Sequence, residues 1–353
     1  MIRLLIAQAL LLTATTAAAQ EKSFTVNGRV PLPDGYRAGI VVNTDTAYSV
    51  SLGDEAYVKD GRFTITGRMA QPQHGTLMTN NLELVERNHW PTDSIRWTYT
   101  PIFMTPGELL FTEADIDDES PFALTGTPVQ ADYNELRRQG GERSADPWAF
   151  IDAHPRSVIS VWLANKLLER GYNLTAEQVS HLEQTIGETA ADPQRYEKFK
   201  KQIAAAKKTV KNAPVTDLEL TDTLGAVCHL TDILPHGNGK FVLIDFWASW
   251  CGICLHSMPD VKQLTEEYAD RLDVVGVSID TKADAWHKAR AKHPEMTWPQ
   301  YCTTKTGYQD LFDKYQVGNG VPYYLLVSPE GRVVCSPEHP GDIKPYLEHH
   351  DKQ

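Results

Sequence analysis

Two cysteines separated by two residues, Cys251-Gly252-Ile253-Cys254, carry the clearest chemistry in this chain. They follow an apolar run, Phe241 to Ile244, and the aromatic segment Phe246-Trp247-Ala248-Ser249-Trp250, with Asp245 as the one charged interruption. A short apolar run ending in polar residues predicts a buried strand that gives way to a helix. Cys251 then stands at the helix N-terminus, where unpaired backbone N–H groups and the helix dipole favour a thiolate. A thiolate there attacks disulfides. Cys254, one turn later on the same face, reaches the mixed disulfide and releases the partner by closing an intramolecular bond. The pair has two plainer readings, half of a zinc site or a staple across a turn. Zinc needs about four ligands, and His256 is near, but no second Cys-x-x-Cys or Cys/His cluster accompanies it. The strand context favours redox chemistry.

The elements that must hold these cysteines can be read around them. A hairpin is predicted from Leu218-Glu219-Leu220 and Ala226-Val227-Cys228, with a short turn at Leu230-Thr231-Asp232. Strand 241–247, the helix from Cys251, a strand over Leu272 to Ile279 and a helix over Lys282 to His293 form a βαβ unit, which implies parallel pairing with a right-handed crossover. Strands Tyr323 to Val327 and Arg332 to Cys335 flank Pro329-Glu330-Gly331 as an antiparallel hairpin, and Ile343 to His350 closes the module as a helix.

On these residues the stretch 213–350 resembles the thioredoxin superfamily, and within it the TlpA/ResA-like periplasmic thiol-disulfide oxidoreductases. The resemblance implies an α/β thioredoxin-like fold, a central mixed sheet flanked by helices. It gives Asp245, six residues before Cys251, the role of the buried acid that manages the proton of the second cysteine. Burial should raise the pKa of such a carboxyl, which lets it accept that proton; the plain alternative is a satisfied core acid. Pro259 matches the proline that kinks the active-site helix, and Gly320-Val321-Pro322 matches the cis-proline loop facing the cysteines. An ordinary trans proline entering a strand is the alternative there. The resemblance further implies that the backbone at Val321 pairs with the substrate chain; Trp250 and Trp247 flank the motif as an apolar platform for that chain, with Trp247 as core the alternative, and Gly252 and Ile253 are expected in the same contact. The Cys251–Cys254 pair is the expected redox disulfide, with no cofactor and no metal. Two departures stand out: Gly252-Ile253 replaces the frequent Gly-Pro, and Ser257 stands where many members carry Glu.

Residues 1–19 have Arg3, an apolar stretch from Leu4 to Leu12 and Ala17-Ala18-Ala19, the pattern of a cleavable signal peptide. Export, and by resemblance the periplasm, is expected. The formal charge of -12 argues against nucleic-acid partners. Expected partners are disulfide-bearing or dithiol exported proteins and an upstream membrane thiol reductant. Five cysteines leave Cys228, Cys302 and Cys335 beside the redox pair. One further disulfide among them is open from sequence, and buried inert thiols are the default.

With 353 residues the chain exceeds one ordinary domain. Residues 20–130 alternate in short runs such as Phe24-Thr25-Val26, Phe63-Thr64-Ile65 and Leu109-Leu110-Phe111, with Asp60-Gly61 as a hairpin signal. They read as a small all-β, sandwich-like domain. Glu113, Asp115, Asp117, Asp118 and Glu119 lack the glycine and distal glutamate of a calcium loop and read as a solvated acidic turn. Residues 131–212 read as a helical connector. A helix carrying Val158, Val161, Trp162 and Leu168 is expected to close at Gly171, a capping box pairs Thr175 with Gln178, and Asp192-Pro193 opens a third helix. Residues 213–353 form the thioredoxin-like module.

Taken together, the sequence points to an exported thiol-disulfide oxidoreductase that reduces disulfides through Cys251 and Cys254. Two rivals are a binding or assembly protein using the module as scaffold, and a peroxiredoxin-like peroxidase. The second needs a threonine three residues before its nucleophile, where this chain has Ala248.

Overall fold

The computed structural model describes residues 21–42, 50–117, 120–141, 145–169, 171–207, 210–234, 238–315 and 320–349. The signal-peptide pattern, Asp118 and Glu119 lie outside them. The chain divides into two compact units, one holding residues up to Asp146 with short pieces near 158 and 190, the other holding most of the rest.

The first unit is a β-sandwich. Its strands are β1 (Lys22–Arg29), β2 (Arg37–Val42), β3 (Val50–Ser51), β4 (Ala56–Tyr57), β5 (Arg62–Met69), β6 (Gln73–Asn80), β7 (Trp97–Met104), β8 (Gly107–Glu113) and β9 (Phe122–Thr125), with helices α1 (Leu82–Arg87) and α2 (Pro128–Arg138). One sheet runs β5-β1-β8-β9, the other β3-β2-β6-β7 with β4 on β2. Alternation of buried and exposed residues gives each sheet one apolar face. Phe24, Val26, Ile65 and Phe111 of one and Ile40, Val42, Leu77 and Ile102 of the other share a core. Asp60 and Gly61, both at positive φ, close the expected hairpin between Lys59 and Arg62.

Asp117 corrects the expectation of a solvated turn. Arg137 of α2, only 2% exposed, grips it with two hydrogen bonds of 2.6 and 3.0 Å and donates a third to the Phe122 carbonyl. Removing one partner of a buried pair leaves the other charge uncompensated, a cost of about 3–5 kcal/mol. Arg137→Ala is therefore expected to destabilise this unit by roughly that amount in chemical denaturation. A loss below about 1 kcal/mol, the level of an exposed pair, would contradict the buried bond.

In the second unit, helices α3 (Pro147–Ala153), α4 (Val158–Leu168), α5 (Ala176–Thr185) and α6 (Pro193–Ala206) precede the redox module, and α4 shares its first two residues with the other unit. Thr175 and Gln178 form the capping box. Gly171 does not close α4 as a cap; it opens a 3-10 turn, Gly171–Asn173. The module comprises β10 (Glu219–Thr221), β11 (Val227–His229), α7 (Leu230–Ile233), β12 (Phe241–Trp247), α8 (Gly252–Glu267), β13 (Leu272–Ser278), α9 (Ala283–Lys292), β14 (Gln300–Thr303), α10 (Lys305–Tyr315), β15 (Tyr323–Val327), β16 (Val333–Cys335) and α11 (Lys344–His349). The expected turn at 230–232 is the one-turn helix α7.

Among the described residues the sheet runs β11-β10-β14-β13-β12-β15-β16. β12, β13 and β14 are parallel, while β15 is antiparallel to β12 and β16 to β15. Every residue of β12 is buried, as a central strand covered on both faces requires. Its C-terminal end delivers the cysteines to the start of α8.

Candidate active site

Cys251 is the N-cap of α8 and Cys254 lies in its first turn. Their sulfurs are joined in a disulfide. The Cys254 backbone N–H donates to the Cys251 sulfur at 3.2 Å, so one of the helix's orphan donors is aimed at the atom that carries charge in the reduced form. Cys251 is 7% exposed and Cys254 1%, so the first sulfur is the one a partner can reach. Pro259 lies inside α8, one turn beyond the pair.

Across from the disulfide, the Val321–Pro322 peptide is cis. Gly320, at φ 95°, takes the left-handed backbone that turns the chain into this peptide. The Val321 carbonyl oxygen is 3.4 Å from the Cys251 sulfur. Around the pair, Trp250 is 66% and Ile253 73% exposed, and a side chain at Gly252 would meet open space. Trp247, by contrast, is core: its indole N–H donates to Gln300 Oε1 at 3.0 Å.

Asp245 is buried in β12, and neither carboxyl oxygen has a hydrogen-bond partner. It pairs directly with Tyr324 of β15. Direct partners on an antiparallel pair share a face, and the Tyr324 hydroxyl reaches Ser257 of α8 at 2.9 Å. Asp245 therefore lies on the α8 side of the sheet, the side of Cys254. Burial pushes its carboxyl up to about 7. A carboxyl poised there takes a proton near neutral pH and gives it back.

Five polar contacts at the site, three at Asp280 and two at Ser257, were not read from sequence. Asp280, just past β13, accepts from the Ser249 backbone N–H at 2.8 Å and from the Ser249 hydroxyl at 2.7 Å, while Ser278 donates to it at 2.7 Å. This latch fixes the loop two residues before Cys251. Asp280→Ala strands those donors, Ser278 buried and Ser249 half-buried, and is expected to cost roughly 2 kcal/mol in thermal denaturation and to slow disulfide exchange, whereas Ser249→Ala keeps the backbone and Ser278 bonds and costs less. Equal losses would mean that neither the Ser249 backbone bond nor the Ser278 bond contributes. Ser257, the departure from the family acid, bridges the Cys254 carbonyl and Tyr324. His256 is exposed.

Cys228, Cys302 and Cys335 carry free thiols. Cys302 and Cys335 are buried, and burial pushes both thiols up to about 11. Cys228 is half-buried, not buried as expected, because β11 forms the sheet edge. Among the described residues no group of three or more His, Cys, Asp or Glu is placed to hold a metal.

A family model described as thioredoxin-like matches residues 238–333, from just before β12 to the first residue of β16, with the disulfide inside it. The match gives the chain a thioredoxin-like domain within these residues. Thioredoxin-like protein YneN of Bacillus subtilis is 40% identical over 68 residues, 19% of this chain and 40% of that protein. Thioredoxin 1 of Chlorobaculum tepidum is 54% identical over 44 residues, 12% of this chain and 44% of that protein. The chain thus spans less than half the length of these relatives. Among solved structures, the thioredoxin domain of a thiol-disulfide oxidoreductase from Bacteroides vulgatus is 27% identical, with 39% of this chain and 94% of that one covered, at a TM-score of 0.35. A thiol:disulfide interchange protein from Bacteroides sp. is 26% identical, covering 39% and 88%, at 0.35.

Proposed function

We propose that this protein is an exported, TlpA/ResA-like thiol-disulfide oxidoreductase that reduces disulfides in periplasmic proteins. The observation that carries the proposal is the Cys251–Cys254 disulfide at the start of α8, facing the Val321 carbonyl with a buried, unpartnered Asp245 on its side of the sheet. In the reduced protein the Cys251 thiolate attacks one sulfur of a substrate disulfide. That bond breaks, the leaving sulfur takes a proton, and a mixed disulfide remains. Cys254 passes its proton to Asp245 and attacks the Cys251 sulfur, and the second substrate sulfur leaves with the electron pair. The substrate has gained two electrons and the enzyme disulfide has re-formed.

Val321, Trp250, Gly252, Ile253 and Pro322 receive the partner chain in this scheme: exposed indole and isoleucine offer apolar surface, and the Val321 backbone lies beside the attacking sulfur. A membrane thiol carrier restores the dithiol. The signal-peptide pattern supports export, and among the described residues no helix is long and apolar enough to cross a membrane. Insulin reduction by the purified protein, with dithiothreitol regenerating the dithiol, tests the activity. Precipitation of the insulin chains no faster than with dithiothreitol alone would reject it.

A further inference from the structure

The turn Gly171–Asn173 belongs by sequence to the helical connector, yet it is built into the redox module. Asn173 and Ser336 exchange two hydrogen bonds: the Asn173 side-chain amide donates to the Ser336 carbonyl at 3.0 Å, and the Ser336 backbone N–H donates to Asn173 Oδ1 at 2.8 Å. The far end of the connector is tied to β16 itself, the Asn212 N–H donating to the Val333 carbonyl at 2.8 Å and the Val333 N–H to the Ala213 carbonyl at 2.9 Å. Between these ties Tyr172, 1% exposed, enters the core of the module. Its ring centre lies 6.1 Å from that of Tyr315, Tyr315 lies 5.6 Å from Phe246, and Phe246 6.1 Å from Tyr323. Burial, and next the Tyr323 hydroxyl, hold the Tyr172 phenol above its ordinary pKa, so Tyr172 and Tyr323 also stand close to each other. Tyr323 is joined directly to the cis proline. Phe246 and Tyr323 are direct partners on the β12–β15 ladder, one step from Asp245 and Tyr324, so they occupy the sheet face opposite α8.

We propose that Tyr172 of the connector is a positioning residue for the reaction: from behind the sheet it holds the start of β15 forward and so keeps the Val321 carbonyl against the Cys251 sulfur. The inference rests on Cys251 being the attacking sulfur and on the Val321 backbone receiving the partner chain. A core packed to crystal density transmits displacement rather than absorbing it. With the Tyr172 ring removed, Tyr323 relaxes toward the vacated volume, which lies on the face away from α8, and the Val321 carbonyl draws back from the sulfur. Two effects follow. At 3.4 Å the carbonyl oxygen accepts from a thiol and repels a thiolate, so its withdrawal makes Cys251 more acidic. The same backbone seats the partner chain, so its withdrawal weakens partner binding, while the displacement between Cys251 and Cys254, contained at the start of α8, is untouched.

The test uses the full-length reduced protein. Alkylation of Cys251 by iodoacetamide, followed by mass spectrometry across a range of pH, gives the acidity of that sulfur, and initial rates over a range of insulin concentration, with dithiothreitol regenerating the dithiol, give KM and kcat. In Tyr172→Ala the Cys251 thiol is expected to become roughly threefold more acidic, and KM to rise about fivefold with kcat within about twofold of the wild type. Tyr172→Phe, which restores the ring, should bring both values back toward the wild type. If Tyr172→Ala loses its fold, Tyr172→Leu, which leaves a smaller void, carries the same test with the same signs. A Cys251 acidity that is unchanged or lowered in a folded variant overturns the proposal however much stability is lost, because a ring that only fills the core leaves the surroundings of the sulfur as they are. A shift in Tyr172→Phe as large as in Tyr172→Ala overturns it as well. Should the wild-type protein reduce no insulin, the proposed activity fails, and the alkylation profiles still decide the role of Tyr172.

Discussion

Replacing Cys251 with serine is expected to reduce insulin turnover to the rate of dithiothreitol alone, whereas Cys254→Ser abolishes turnover but leaves substrates covalently held on Cys251. The asymmetry follows from the geometry. The Cys251 sulfur caps α8, receives the Cys254 N–H and is the more exposed of the two. It can attack without its neighbour. Cys254 is 1% exposed and meets a partner sulfur only after Cys251 has drawn that sulfur in. Removing it deletes the second displacement and not the first, so the mixed disulfide persists until an outside thiol attacks it. Expressed in a cell that exports it, the Cys254→Ser protein should migrate on non-reducing gels as adducts that collapse on reduction, and those adducts identify the substrates. Turnover surviving in Cys251→Ser, or adducts forming on Cys254 in that variant, would reverse the two roles. An unadducted Cys254→Ser protein in such cells would favour the module as a scaffold.

Much of the redox module was legible because its information is local. The apolar run of β12, the change of period at Cys251 and the hairpin around Gly331 are set by residues within a few positions of one another, and strands 241–247 and 323–327 fall where the pattern puts them. Contacts that depend on chain closure were silent. Ser249 and Asp280 are 31 residues apart, Ser257 and Tyr324 67, Asp117 and Arg137 20. In sequence Tyr324 is one apolar letter in a strand; only the folded sheet shows that its hydroxyl has to find a partner and that α8 supplies one. Asp117 likewise sits in an acidic run that reads as solvated until α2 brings Arg137 to it. The sandwich was legible as alternating runs, but its sheet order was not. β1 lies parallel to β8, some eighty residues away, and no short-range signal encodes that pairing.

Asp245→Asn should separate stability from activity, since one buried carboxyl controls both in opposite directions. The ordinary aspartate value is 3.8 and burial takes this one to about 7. Below about pH 3.8 the group is protonated in both folded and unfolded protein and its titration has no effect on stability. Between about 3.8 and 7 the unfolded chain ionises while the folded one keeps its proton, so the native state loses stability steadily as pH rises; above about 7 the loss is complete. At 1.36 kcal/mol for each factor of ten in acidity, the loss approaches about 4 kcal/mol. Asparagine does not titrate. In the oxidised protein the stability advantage of Asp245→Asn over the wild type should therefore grow by up to about 4 kcal/mol between pH 4 and pH 8, and then level off. Denaturation of both proteins at the two pH values measures it directly. The same variant cannot accept the Cys254 proton, so resolution of the mixed disulfide should slow by roughly a hundredfold near neutrality, while attack by Cys251, which does not involve Asp245, keeps its rate. A stability difference equal at pH 4 and pH 8 would show that this carboxyl titrates like an exposed one. It would then be too weak a base at neutral pH to take the thiol's proton, and the second displacement would need another acceptor.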